Sequence, residues 1–277
     1  SLTDRSLDFM MRSVKDERPF YLQISHWAVH VNMQTRQASL EKYERLPKGE
    51  KHNVPAFGGM TEDLDVGVGK ILDMIDELGI ADSTYVIYMA DNGAAGWIPP
   101  NTPRNLSNPT SYDIPSRNAP LRGGKWVTFE GGIRVPFIVR GPGVKPNSFC
   151  NVPVVGWDIL PTIADIAGYK KPLSSDIDGG SFRTLLENEG RGAVRRPNPG
   201  LVFHRYNDSY PHTSIRVGDY KLVKFWNEEK RLLFNLKDDL GETKDLAQAE
   251  PEKARELHKQ LMDYLESVDS DVLTLYK

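Results

Sequence analysis

A run of strand formers, Thr84-Tyr85-Val86-Ile87-Tyr88-Met89-Ala90, stops at Asp91-Asn92-Gly93, and that stop constrains the chain more than any other feature. A buried strand that ends in a carboxylate, a carboxamide and a glycine delivers oxygen donors to the carboxyl edge of a sheet. Open α/β sheets hold ligands and metals at that edge. Two oxygen donors side by side suit a hard cation such as calcium or magnesium rather than zinc. The same residues also make an ordinary turn, since Asn-Gly is a common turn pair. Taken alone, the turn is the simpler reading, and the rest of the chain has to decide.

Helices and strands alternate around this stop. Residues Leu2 to Val14 read as a helix, followed by a strand, Phe20 to Ser25, that runs into His26-Trp27-Ala28-Val29-His30. The stretch from Asn32 to Gly59 is polar and dotted with Pro and Gly, which predicts a long surface loop. Leu64, Val68, Ile71, Leu72, Ile75 and Leu78 recur at helical spacing from about Glu62, and Gly79 stands where a C-terminal cap belongs. Gly93 to Pro120 is irregular, Arg134 to Arg140 predicts a strand, and Ile159, Leu160, Ile163 and Ile166 mark a short helix ending at Gly168. This alternation predicts an α/β layered domain over residues 1–190.

Beyond it the pattern changes. Thr213 to Val217 and Tyr220 to Lys224 flank Gly218-Asp219, a two-residue hairpin signal. A further strand, Arg231 to Leu236, and a helix from Pro251 carrying Ala254, Leu257, Leu261, Leu265 and Val268 complete a small antiparallel sheet with a helix across it, over residues 191–277.

Composition serves mainly to exclude. A net charge of −3 with both signs interspersed gives no nucleic-acid or anionic-membrane footprint. No apolar run approaches the roughly 18 residues that span a bilayer, and no signal peptide is visible. The single cysteine, Cys150, excludes an internal disulfide framework and a multi-cysteine metal site.

Two further residues carry chemistry. His30 follows a predicted strand and would share the edge of Asp91 if the two strands are parallel; a histidine there can protonate a leaving group or hold an anion. A structural loop histidine is the competing reading. Lys125 lies in Leu121-Arg122-Gly123-Gly124-Lys125-Trp126, where glycines let the backbone approach a ligand and the ammonium supplies a point charge. A solvated turn lysine is the alternative. The segment is not a phosphate-binding P-loop, because Asn118 stands where its first glycine would be and Trp126 where Ser or Thr would be.

The wording of these segments, "FYLQISHWAVH", "VIYMADNG" and "PLRGGKWVTFEGGIRVPFIVRGPGV", resembles the sulfatase family of the alkaline-phosphatase-like superfamily. "WDILPTIADIAG", "SIRVGDYKLVK" and "LLFNLKDDLGETKDLA" fit the same family, so the resemblance runs from about Phe20 to Leu246. It implies an alkaline-phosphatase-like layered sheet, incomplete at the N-terminus, and a calcium-dependent hydrolase of sulfate esters with magnesium as the second choice of ion. Asp91 and Asn92 match two of the metal ligands. His30 matches the histidine at the sulfate and leaving-group oxygen, a candidate general acid, and Lys125 the lysine that neutralises the sulfate oxygens. His204 resembles a position that carbohydrate-acting members turn toward the substrate, and Arg122 could line the mouth of the pocket, although a structural ion pair competes. Asn92, rather than histidine, argues for a single hard cation and against phosphate or phosphonate esters.

The resemblance also implies what the chain lacks. The family's formylglycine arises in a Cys/Ser-x-Pro-x-Arg motif, which is absent; Cys150-Asn151-Val152-Pro153 has the wrong spacing, and Asp113-Ile114-Pro115-Ser116-Arg117 only imitates the motif's tail. Formylglycine and the remaining metal ligands are therefore expected outside these residues, which by themselves are expected to be inactive. The implied substrate is a sulfated small molecule or carbohydrate, and the implied compartment is periplasmic or extracellular. A non-catalytic homologue or partner subunit is the alternative from another class.

Overall fold

A computed structural model describes residues 1–30, 32–95, 117–205 and 210–276. Asp113 to Ser116, the motif imitation, lies outside them, as does most of the irregular stretch before Pro120. The described residues fall into two units, one comprising Ser1–Ile87 with Val139–Pro142 and the other residues 88–95, 117–138 and 143–276.

The first unit is built on three helices. Ser1 caps α1 (Leu2–Lys15): its hydroxyl accepts the Asp4 N–H, and the Asp4 carboxylate binds back. This reciprocal arrangement satisfies orphan donors of the first turn. The expected surface loop is corrected, because it contains α2 (Gln37–Arg45) and the first turns of α3 (Pro55–Glu77). Its glycines are contact points rather than loop markers. A Cβ on Gly58 would lie 2.4 Å from the Tyr43 ring, and one on Gly59 2.6 Å from the Thr35 hydroxyl. Asp63 on α3 secures the junction by accepting from Thr35 (2.8 Å), Ser39 (2.7 Å) and Arg36 (2.6 Å). Burial alone would raise the Asp63 carboxyl, but these hydrogen bonds outweigh it and hold it well below the usual range.

The strand expected over Phe20–Ser25 is also corrected. The segment is extended and its side chains alternate between half-buried and exposed, yet it forms no ladder. Period-two alternation fixes which side chains share a face, but a strand exists only where a neighbour takes its N–H and C=O groups. Trp27 is 85% exposed on the outer face of this segment.

β1 (Val86–Met89) and β2 (Phe137–Arg140) pair as a two-stranded sheet. In the second unit the one-turn helix α4 (Glu130–Ile133) precedes β2, and α5 (Ile159–Ile166) and α6 (Arg183–Glu187) follow it. Four strands, β3 (Leu201–Arg205), β4 (His212–Val217), β5 (Tyr220–Phe225) and β6 (Arg231–Asn235), form an antiparallel sheet in chain order. Val217 faces Tyr220 across the two-residue turn, as the sequence predicts.

Both faces of this sheet are covered. Ile215, Leu222 and Leu233 pack on Ala254, Leu257, Leu261 and Leu265 of α7 (Pro251–Ser267), with Val272 of α8 (Val272–Leu275) closing the cluster. On the other face Val223, Phe225 and Phe234 pack on Val127 and Phe129. Those two residues lie just beyond Lys125 in the chain, so the sheet is the bed on which the lysine loop lies.

Candidate active site

Three backbone segments meet beside Asp91, and each meets the next through glycine. The Gly93 N–H donates to the Gly132 carbonyl at 2.9 Å, and the Gly131 N–H to the Arg122 carbonyl at 2.8 Å. A Cβ on Gly93 would lie 1.7 Å from the Gly131 carbonyl oxygen, and one on Gly131 would lie 2.3 Å from the Gly123 oxygen. No side chain of any size fits, so these glycines are required by close approach of the chain to itself. The Asn118 carboxamide stitches the seam further. Its Oδ1 accepts the Ala94 N–H at 2.9 Å, while its Nδ2 donates to the carbonyls of Ala94 (2.9 Å) and Gly123 (3.1 Å).

This junction brings the Asp91–Asn92 turn and the Lys125 loop together. The Lys125 N–H donates to the Ala94 carbonyl at 3.2 Å, three residues beyond Asp91. Asp91 is exposed, and the Asn92 carboxamide donates to its Oδ1 at 2.5 Å. The two side chains are thus adjacent, with the Asn92 amide nitrogen turned to the carboxylate. Calcium takes about six to eight oxygens, so the pair fits in kind and falls short in number. Among the described residues no group of three or more His, Cys, Asp or Glu is placed to hold a metal ion.

The remaining expected residues stand as follows. The ammonium of half-buried Lys125 lies 5.7 Å from the centre of the Trp126 ring. Arg122 is engaged inside the protein, with Nη1 donating to the Glu242 carbonyl at 2.8 Å and the guanidinium 4.4 Å above the Phe129 ring. His30 is exposed at the end of the extended segment of the first unit. His204 sits on β3 with its Nδ1 against the Thr213 hydroxyl, which also accepts the Trp226 indole N–H at 2.7 Å. Burial pushes the His204 imidazole below its ordinary pKa, so it is neutral at pH 7.

His204 also borders a cavity of about 540 Å³, lined by Trp126, Trp157, Phe203, Thr128 and Arg205 among others. The Trp157 and Phe203 rings lie 5.8 Å apart, tilted at 48°. Arg205 closes onto the Trp126 carbonyl. Aromatic walls with a neutral imidazole and a guanidinium at the edge suit a ligand with both apolar faces and polar substituents.

Sequence reasoning missed the supports beneath this site. His212 is fully buried and locked in one tautomer: its Nδ1 donates to the Tyr210 carbonyl at 2.8 Å, and its Nε2 accepts the Thr128 N–H at 3.0 Å. Burial, with nearby cations secondary, lowers its pKa to about 4. Glu130, Lys221 and Glu242 form a buried ion-pair cluster under the same loop. The signal that could have found Lys221 is its register. It alternates with Leu222 and shares its face with Val223 two residues on, inside a strand apolar on both faces.

The chain is similar to known proteins of one family. The Sulfatase family profile matches residues 1–169, and that of "N-sulphoglucosamine sulphohydrolase, C-terminal" matches residues 124–271. A sulfatase of Formosa agariphila is 33% identical over 276 residues, covering 90% of this chain and 46% of the relative. The steryl-sulfatase of Rattus norvegicus is 36% identical over 225 residues, covering 78% of this chain and 35% of its own. The crystal structure of Ps i-CgsB in complex with k-i-k-neocarrahexaose superposes with a TM-score of 0.75 at 23% identity, over 95% of this chain and 53% of that one. The chain therefore spans about half the length of these relatives or less.

Proposed function

The chain belongs to the sulfatase family, and from that premise we propose that the whole protein hydrolyses sulfate esters at a site to which these residues contribute Asp91, Asn92, Lys125 and His30. The glycine junction that joins the Asp91–Asn92 turn to the Lys125 loop supports this reading, since it holds an oxygen-donor pair and a cation on neighbouring backbone segments. Asp91 and Asn92 would hold a calcium ion, magnesium being the second choice. Such an ion, when bound, draws charge from the sulfate oxygens.

Lys125 would neutralise the same oxygens. His30, assigned on the resemblance, would give its proton to the ester oxygen as the S–O bond breaks. The formylglycine nucleophile belongs, on this reading, to a part of the protein outside these residues. The aromatic cavity with His204 would take the organic part of the substrate, a sulfated carbohydrate or other small molecule, through stacking and hydrogen bonds to a neutral imidazole. Arg122 supports the loop from below. The chain would then comprise catalytic-domain sequence over 1–190 and a small subdomain over 191–277.

The test compares an aryl sulfate with the matching aryl phosphate on the full-length protein. The sulfate should be preferred, chelation should abolish turnover, and Lys125→Ala should lower kcat/KM by about 100-fold or more. Preference for the phosphate, or an unchanged Lys125→Ala enzyme, would sink the reading.

A further inference from the structure

We propose that the buried cluster Glu130–Lys221–Glu242 is a positioning device, through which the C-terminal sheet sets the backbone that carries Lys125 and receives Gly93. The three residues are 2%, 0% and 0% exposed, and none of them lines the 540 Å³ cavity. They act on the site only through backbone. Lys221 on β5 lies 2.9 Å from a Glu130 oxygen and 2.8 Å from a Glu242 oxygen, so one ammonium bridges two carboxylates. Arg134 reaches the other Glu130 oxygen at 3.2 Å.

Glu242 then makes two contacts that a salt bridge alone does not require. Its Oε2 accepts the Glu130 N–H at 2.7 Å, and its own carbonyl accepts Arg122 Nη1 at 2.8 Å. These are the residues on either side of the glycine seam. Arg122 offers its carbonyl to Gly131, and Glu130 is followed by the two glycines that face Gly93. The contacts join residues 91, 112 and 120 positions apart in sequence.

Stability alone does not explain the choice of charges. Apolar side chains of equal volume hold a seam as well as a buried ion pair does, and often better. What charges add is direction. The carboxylate of Glu242 fixes where the Glu130 N–H points, and Lys221 fixes where that carboxylate lies. An apolar contact tolerates sliding along the seam, whereas these hydrogen bonds admit one register. The device serves the sulfatase reading for its kinetic test, while its effect on backbone protection is independent of that reading.

The experiment uses the full-length protein with Glu242→Ala, which removes the acceptor of the Glu130 N–H, and Glu242→Gln, which keeps an acceptor oxygen. For Glu242→Ala, kcat on an aryl sulfate should fall about tenfold or more with KM within about twofold, and Glu242→Gln, which keeps one oxygen where the carboxylate uses two, should recover part of the loss. By hydrogen exchange, the Gly93 and Gly131 amides should lose protection in Glu242→Ala while those of α3 keep theirs. A folded Glu242→Ala protein with wild-type kcat and wild-type protection at Gly93 overturns the proposal. So does a Glu242→Gln protein no better than Glu242→Ala.

Should Glu242→Ala fail to fold, Glu242→Gln combined with Lys221→Met removes the inner charge pair and leaves Glu130 on Arg134. Wild-type kcat and Gly93 protection in that protein overturn the proposal equally, and a loss of Gly93 protection supports it. If the wild-type protein shows no sulfate-ester hydrolysis, the functional reading fails, and the exchange at Gly93 still decides the positioning role.

Discussion

At the scale of single residues, glycine separates contact from freedom in this chain. Gly93 is legible as part of a strand-ending triplet, yet its reason is invisible in the sequence: the atom that excludes a Cβ belongs to Gly131, 38 positions later. Gly93→Ala would place a methyl group 1.7 Å from that carbonyl oxygen. Neither backbone can give way without breaking the seam, so the substitution should cost about 3 kcal/mol, read as a lower urea midpoint. Gly69 provides the contrast. It lies in α3 with nothing within 4 Å of its added Cβ. Gly69→Ala should therefore stabilise by about 0.5–1 kcal/mol through helix propensity and a less flexible unfolded chain. A loss of stability in Gly69→Ala, or none in Gly93→Ala, would contradict this account of the two glycines. Asp91, Asn92 and Lys125 could be singled out as candidates because residue type and order carry a chemical signal. Glu130, Lys221 and Glu242 could not, because a buried charge looks like a surface charge until its partner is known.

At the scale of elements, the sequence tells most where a segment is defined by its own periodicity. α1, the β4–β5 hairpin and α7 form where the sequence predicts them, since apolar helical periodicity and a Gly-Asp turn are local signals. It tells least where a segment depends on another. Phe20–Ser25 has the alternation of a strand without a ladder, and α2 is concealed among prolines and glycines whose role is packing. The sheet's second face belongs to the same class. His212 on β4 holds the Thr128 N–H there only while its Nε2 is unprotonated. Its folded pKa is about 4, against about 6.5 in an unfolded chain. Between these values the unfolded state binds the proton more readily, so stability is fully present above pH 6.5 and falls as the pH drops toward 4. The loss from this residue should reach about 3 kcal/mol. Denaturant titrations at pH 7 and pH 4.5 read it, and His212→Gln, which retains an acceptor for Thr128, should flatten the dependence. A slope unchanged in His212→Gln would assign the acid sensitivity to other groups.

At the scale of the whole molecule, the count of oxygen donors decides what these residues can do unaided. The glycine seam and the Asn118 stitches hold the Asp91–Asn92 turn through backbone contacts. Pre-organisation lowers the ordering cost of binding, but it adds no ligands. On the proposed reading, the described residues supply two of the roughly six to eight oxygens that calcium takes, and affinity grows with the number of charged ligands. The 277-residue chain by itself should therefore bind calcium no more tightly than about millimolar, the weak end of protein calcium sites. Relatives of about twice this length supply the natural comparison, since the chain matches only 46% of one and 53% of another. Isothermal titration of the 277-residue chain and of the full-length protein, each with Asp91→Ala, separates the cases. Full-length protein should bind far more tightly and lose that affinity in Asp91→Ala, while the shorter chain should show weak binding with or without Asp91. Micromolar, Asp91-dependent binding by the shorter chain would mean that the turn recruits further donors from its own residues, and the division of the site between this chain and the rest of the protein would have to be abandoned.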